Sequence, residues 1–321
     1  MIDFRYHLAS LTAVFLALAG GIALGAGPLQ DSVRGQLATA STGDDAELEE
    51  QLVAARELSD FSGAYAAATA GLVVGDRLDG TSVSLLVLPG AERAVVDGLR
   101  KDLTTAGAEV TSTVRLDEDL VDPAQRQLAE SLVDGLLDSV GGVEVPQAGT
   151  GYERVGGALA RAVVTDSPGT VQVDGAADSI LAAFEEAGFL TVDGTIERRA
   201  SLALLVAGDP PADAPDGQGD VAAGLATGIS PAARGTVVAG TADSAGTGVV
   251  AAVRASDARA GVSTVDGVES PAGRVVSVLA LAEQVAGDSG DYGVTGADGA
   301  VPALAAGAGA GADTGGGAAG G

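Results

Sequence analysis

Between Leu8 and Gly27 the chain carries no charged residue. Twenty residues at a 1.5 Å rise reach about 30 Å, the thickness of a bilayer's hydrocarbon core, so this run is long enough to cross a membrane once as a helix. Arg5 and His7 precede it, whereas Asp31, Asp44, Asp45, Glu47, Glu49 and Glu50 follow, and the next basic residue is Arg34. That asymmetry places the N-terminus inside and the bulk of the chain outside the cytoplasm. A cleaved signal peptide is the rival reading, because Ala23-Leu24-Gly25 offers small residues to a peptidase. The long apolar run and its weakly basic lead favour a retained anchor over residues 1–28. Within it Ala13, Ala17, Gly21 and Gly25 recur at every fourth position, a ridge along which a second transmembrane helix can pack closely. The same spacing also arises by abundance in an alanine- and glycine-rich chain.

Residues 29–78 read as a helical, coiled-coil stalk. Leu29, Val33 and Leu37 lie on one stripe, and Leu48, Leu52, Ala55, Leu58, Phe61 and Tyr65 follow at spacings of three and four. Ser41-Thr42-Gly43-Asp44 interrupts the pattern and predicts two helical pieces, the acidic residues after Gly43 suiting a new helix start.

Beyond it the period changes. Val83–Leu88 is a short buried strand closed by Pro89-Gly90, followed by an amphipathic helix over Ala91–Thr105. Further strands are predicted at Glu109–Val114, Ser201–Ala207, Gly235–Ala239 and Gly261–Val265. Helices are predicted at Pro123–Leu137, Tyr152–Val164, Ala177–Ala187, Gly246–Ala255 and Pro271–Ala286, the last opened by Ser270 as N-cap with proline behind it. Strands alternating with helices predict an α/β domain over residues 79–302, a doubly wound and mainly parallel sheet flanked by helices. Asp209–Asp220 reads as a polar loop, and residues 303–321 as a disordered Gly/Ala-rich tail.

The charge narrows the function. With 44 acidic against 17 basic residues the net charge is -27, which repels nucleic acid. There is no cysteine, and the single histidine, His7, lies at the membrane boundary, so a Ser-His-Asp or cysteine-based catalytic set is excluded from the domain. No phosphate-binding glycine motif is present, since the first strand runs into Leu-Pro-Gly-Ala-Glu. No catalytic residue, cofactor or metal site is assigned. The acidic runs Asp117-Glu118-Asp119 and Asp209–Asp220 lack the spacing of a calcium loop and read as solvated turns. Asp266, Glu269 and Ser270 stand where a strand hands over to a helix, the place where α/β sheets put ligand contacts; a turn with a helix cap is the plainer account of the same residues.

The opening Met-Ile-Asp-Phe-Arg-Tyr-His-Leu-Ala-Ser-Leu-Thr-Ala-Val-Phe-Leu-Ala-Leu-Ala, with Gly25-Ala26-Gly27-Pro28-Leu29, resembles the start of the actinobacterial MctB family. The likeness continues through Leu78-Asp79-Gly80 to Pro89, Glu186-Ala187-Gly188-Phe189, Val238-Ala239-Gly240, Ser263-Thr264-Val265-Asp266, Pro271-Ala272-Gly273 and Asp291-Tyr292-Gly293. The resemblance implies copper transport across the cell envelope. It equally implies the role of SteB-like members, which act with a membrane partner, SteA, in cell-wall assembly and control of peptidoglycan hydrolysis. The residues themselves fit a membrane-held, non-enzymatic scaffold, forming a homo-oligomer through anchor and stalk. Copper prefers thiolate, thioether and imidazole ligands, and only Met1 and His7 supply any. An outer-membrane barrel needs many alternating strands with aromatic girdles, whereas aromatics make up 3% of this chain.

A retained anchor has a direct consequence. The mature protein stays in the membrane fraction after an alkaline wash, and its N-terminal residues match the start of the sequence; a mature N-terminus after Gly25 would mean cleavage instead.

Overall fold

The computed structural model describes residues 29–139, 149, 151–168, 170–209 and 214–303, with side chains from residue 47 onward. The predicted span Leu8–Gly27, its ridge Ala13, Ala17, Gly21 and Gly25, and residues 304–321 lie outside the described residues. Among the described residues no helix is long and apolar enough to cross a membrane. The chain divides into two units, Met1–Ser62 and Gly63–Gly321.

The described part of the first unit is helix, the beginning of α1 (Leu29–Val74), which continues without a break for 46 residues. This corrects the expectation of two pieces separated at Ser41–Asp44. A single helical glycine costs only about 1 kcal/mol relative to alanine, less than good helix formers on both sides supply.

The second unit completes α1 and continues through β1 (Ser82–Val87), α2 (Arg93–Thr105), β2 (Glu109–Leu116), α3 (Glu118–Val121), α4 (Arg126–Ser139) and α5 (Gly151–Val163). Then come β3 (Val171–Gln172), α6 (Gly175–Glu186), β4 (Leu190–Val192), β5 (Arg198–Arg199), β6 (Leu202–Val206) and α7 (Gln218–Ile229). The last elements are β7 (Gly235–Gly240), α8 (Ser244–Thr247), α9 (Val249–Ala255), β8 (Val262–Asp266), α10 (Pro271–Ala286) and β9 (Asp291–Tyr292). Seven strands form one sheet in the order β4-β2-β1-β6-β7-β8-β9, parallel except for β4, which runs antiparallel to β2; β3 and β5 pair separately.

Alternate residues of each central strand serve opposite faces. Leu85, Val87, Leu204 and Val206 join the core beneath α2 and α10, together with Val74 from the end of α1. Leu86, Ala203, Leu205 and Val238 join the larger core on the other face, which α4–α7 and α9 cover. Because both faces are dry, several serines in and beside these strands bond to one another. The hydroxyls of Ser84 and Ser112 lie 2.7 Å apart, and the Ser201 amide donates to the Ser82 hydroxyl at 2.9 Å.

α5 and α7 meet backbone to backbone. A Cβ at Gly228 would overlap the Glu153 carbonyl oxygen, and one at Gly156 the Leu225 carbonyl oxygen. α7 escapes a reading by periodicity because valine, alanine, leucine and isoleucine face its neighbours on most sides, and an evenly apolar helix has no stripe. Its first turn, Gln218–Asp220, also takes the end of the segment expected as a polar loop. The helix expected over Gly246–Ala255 is broken at Gly248 into α8 and α9, and the one expected from Pro123 opens with a 3₁₀ turn over Pro123–Gln125. Asp117 is exposed, in keeping with a solvated turn, and also caps α3 by accepting from the Asp119 amide.

The last crossover is unusual. α10 packs beside α2, to which the Arg274–Asp102 ion pair ties it at 3.3 Å, whereas α7 and α9 cover the other face. Yet β9 extends the sheet in the same direction as β7 and β8. The β8–α10–β9 unit therefore crosses with the hand opposite to its predecessors, against the strong right-handed preference of parallel units.

Glycines at the two extremes of crowding make a paired test. Replacing Gly228 with valine is expected to destabilise the fold by about 3 kcal/mol, since α5 and α7 must separate. Gly135, inside α4 with nothing within 4 Å of a Cβ, is expected to gain about 0.4–1 kcal/mol on replacement with alanine. Thermal unfolding of the two variants beside the parent checks both signs.

Candidate functional site

β1, β6, β7 and β8 run parallel and end at one edge of the sheet. From β1 the chain moves outward to β2 through α2 on one face, and from β6 outward the other way to β7 through α7 on the opposite face. Loops that part in this way leave a crevice between them, the place where open α/β sheets bind ligands.

Ladder bonds continue past the strand ends and hold the loops that form it: the Leu88 amide donates to the Val206 carbonyl and the Ala207 amide to the Ala239 carbonyl, each at 2.8 Å, and the Val268 amide to the Gly240 carbonyl at 3.0 Å. Gly90, with φ 80°, and Gly208 bring the β1 and β6 loops together so tightly that a Cβ on either would strike the other loop's backbone. Beside this joint lies a cavity of about 380 Å³ whose charged lining residues are Glu92, Asp209, Asp243 and Glu269. Asp209 accepts from the Thr241 hydroxyl, and Glu269 Oε1 accepts from the Ala242 amide at 3.3 Å.

Four carboxylates face this cavity with no cationic side chain in its lining, so a phosphate or nucleotide is repelled from the very place where related architectures hold one. Positive charge is what the field there attracts. Among the described residues no group of three or more His, Cys, Asp or Glu is placed to hold a metal ion.

The three residues singled out from the sequence take separate parts. Ser270 caps α10: its hydroxyl accepts from the Gly273 amide at 3.0 Å and donates to the Gly267 carbonyl at 2.8 Å. Glu269 stands exposed on the rim of the cavity. Asp266 turns away from it, and its side chain is 0% exposed.

Asp266 is instead the centre of a buried ionic network. Its Oδ2 accepts from Arg254 Nη1 at 3.0 Å, from the Thr295 amide at 3.1 Å and from the Thr295 hydroxyl at 2.6 Å, and its Oδ1 accepts from the Val294 amide. Arg254, on α9, also donates to Thr264 Oγ1 at 2.7 Å and to the Tyr292 carbonyl at 2.9 Å. The Thr264 hydroxyl donates in turn to Asp291 at 2.7 Å, and Arg259 pairs with the same carboxylate at 2.8 Å. The Asp266 bonds to residues 294 and 295 and the Thr264–Asp291 bond tie the chain around β9 to β8, and Arg254 and Arg259 bridge to it from the segment before β8, so the network holds the edge strand that arrives by the opposite-handed crossover. Burial pushes the Asp266 carboxyl up, and the bonds from Thr295, Arg254 and Val294 more than offset it, leaving the group below the usual carboxylate range.

The sequence reading found Asp266 by its place after a strand and missed Arg254, Asp291 and Thr295. A usable signal was there: an aspartate closing the buried strand Val-Ser-Thr-Val-Asp has to find a cation.

Comparison with known proteins places the chain among relatives of one kind. A family model described as copper transport outer membrane protein, MctB, matches residues 1–302. A protein of Mycobacterium tuberculosis named copper transporter MctB is 31% identical over 307 residues, which cover 91% of this chain and 96% of the relative. The protein of the same name from Mycobacterium leprae is 32% identical over 316 residues, covering 92% and 96%.

Removing Arg254 by substitution with alanine leaves the buried Asp266 carboxylate without its cation and is expected to cost about 3–5 kcal/mol. Asp266 adds a pH dependence. Its folded value lies below the unfolded one, so its contribution is complete above the unfolded value of about 3.9 and is lost as pH falls through the folded value. An Asp266→Asn variant, lacking the titration, is expected to be less stable at pH 7 and to lose less on acidification than the parent, as read by denaturant unfolding at several pH values.

Proposed function

The chain belongs to the MctB family, and on that premise we propose that it serves copper transport at the cell envelope, held there by a single retained N-terminal helix. The observation that carries this reading is the match over 96% of the length of relatives named copper transporters. In this proposal residues 8–27 cross the membrane with the N-terminus inside, and the acidic α/β unit works outside the cytoplasm.

The chemistry of the chain decides what kind of part it takes. Copper sites are built from cysteine, methionine and histidine, and the chain has no cysteine, one methionine, Met1, and one histidine, His7. The α/β unit therefore contributes as a non-enzymatic binding module that assembles with other proteins, and the ion passes through a partner. The net charge of -27 suits a partner surface of positive charge, and Glu269, exposed on the cavity rim, is the contact we carry forward from the sequence. Homo-oligomerisation through anchor and stalk fits the same picture: Leu48, Leu52, Leu58 and Phe61 stand exposed on the stalk helix, apolar surface that water disfavours.

A second reading rests on the same shortage of copper ligands. In it the protein is a SteB-like scaffold that joins a SteA-like membrane protein in cell-wall assembly and control of peptidoglycan hydrolysis. A deletion strain separates the two when cellular copper and cell shape are followed together. Copper transport predicts raised copper content and copper sensitivity with normal division; scaffolding predicts division or wall defects at unchanged copper.

A further inference from the structure

The last turns of α1 belong to the second unit, and their two sides differ in kind. Ala70 and Val74 are buried, Val73 packs against the core beneath α2 and α10, and a Cβ at Gly63 would lie 3.7 Å from the Pro271 ring. On the opposite side Tyr65 is 64% and Leu72 88% exposed, with the exposed Ala68 between them. Spacings of three and four put Tyr65 and Leu72 at heptad position a and Ala68 at d. In the same frame the inward residues fall at b, c and f: Ala66 and Val73 at b, Val74 at c, Gly63 and Ala70 at f. The helix is thus built to serve the fold with one side and a helical neighbour with the other.

We propose that the outward side, Tyr65, Ala68 and Leu72, is a seam covered by the same segment of a second copy of this chain, parallel and in register. Three observations select that occupant. An a/d stripe on a long helix is satisfied by an equivalent helix, whose knobs fit its holes. The stripe follows in sequence, without a gap, from Leu58 and Phe61, residues of the stalk read above as pairing with its own copy. Every copy enters the membrane from the same side, so neighbouring helices run the same way. The inference rests on the anchor-and-stalk reading and goes further: pairing reaches the α/β unit itself, and the dimer is one of folded units as well as of tethers.

The chain has no cysteine, so single-cysteine variants report pairing without background. Leu58→Cys, Leu72→Cys and Ala67→Cys are made in the full-length protein and oxidised in its native membranes. Leu58 shares position a with Leu72, and Ala67 is exposed at position c, off the seam. The expected result is a disulfide-linked dimer for Leu58→Cys and for Leu72→Cys, each bonded to its own twin, with little for Ala67→Cys. The two seam positions lie about 21 Å apart along the helix, so both face their twins only in a parallel, in-register pair. Dimer at Leu58→Cys alone overturns the inference and leaves the stalk reading standing; dimer at neither overturns both. Equal yields at all three positions report random collision and overturn the seam.

Discussion

The central strands of this protein are dry on both faces, and that one condition governs the rest of the fold. Every residue of β1, β6, β7 and β8 is buried, so helices have to cover the sheet on both sides and close over it. Close cover explains the glycines at Gly156 and Gly228, where two helix backbones touch. It explains the serines that bond to one another across β1, β2 and the approach to β6, since a hydroxyl in such a sheet has no water to turn to. It also explains why an aspartate at the end of β8 draws an arginine from α9.

That arginine does more than neutralise a charge. Arg254 reaches Asp266, Thr264 and the Tyr292 carbonyl together, and with Arg259 it binds the short edge strand β9 to the sheet. A two-residue strand reached by a crossover of the disfavoured hand has little hydrogen bonding of its own to hold it. The ionic network supplies the missing constraint, which is why the most buried carboxylate of the strand-to-helix turn is structural while its neighbour Glu269 is left at the surface.

The crevice at the carboxyl edge shows how a common architecture is turned away from its common use. Its position is that of a nucleotide site, but Gly90 and Gly208 close the loops upon each other and the lining carries carboxylates where phosphate-binding amides and cations would be needed. The chain belongs to the MctB family, yet its side chains of the kinds copper prefers are confined to Met1 and His7.

Much of this was legible before any tertiary contact was known. Strands of continuous apolar residues, helices with a clear stripe and the Ser270-Pro271 helix start identify themselves, because each follows from backbone geometry and local capping. The helical spacing of apolar residues from Leu48 to Tyr65 likewise shows in the sequence alone. The helix α7, the short strands β3, β4, β5 and β9, and the break at Gly248 were not legible: α7 is apolar nearly all round, two or three residues have no period, and a kink depends on what lies beside it. The uninterrupted α1 belongs with these, since local signals at Ser41–Asp44 argued for a break. What the sequence alone determined is the acidic charge, the absence of cysteine with a single histidine and a single methionine, the apolar N-terminal run and the alternation of strand with helix. Only the tertiary structure decided the strand order, the partner of Asp266 and which side of α1 faces outward, because each depends on residues far apart in sequence meeting in a dry interior.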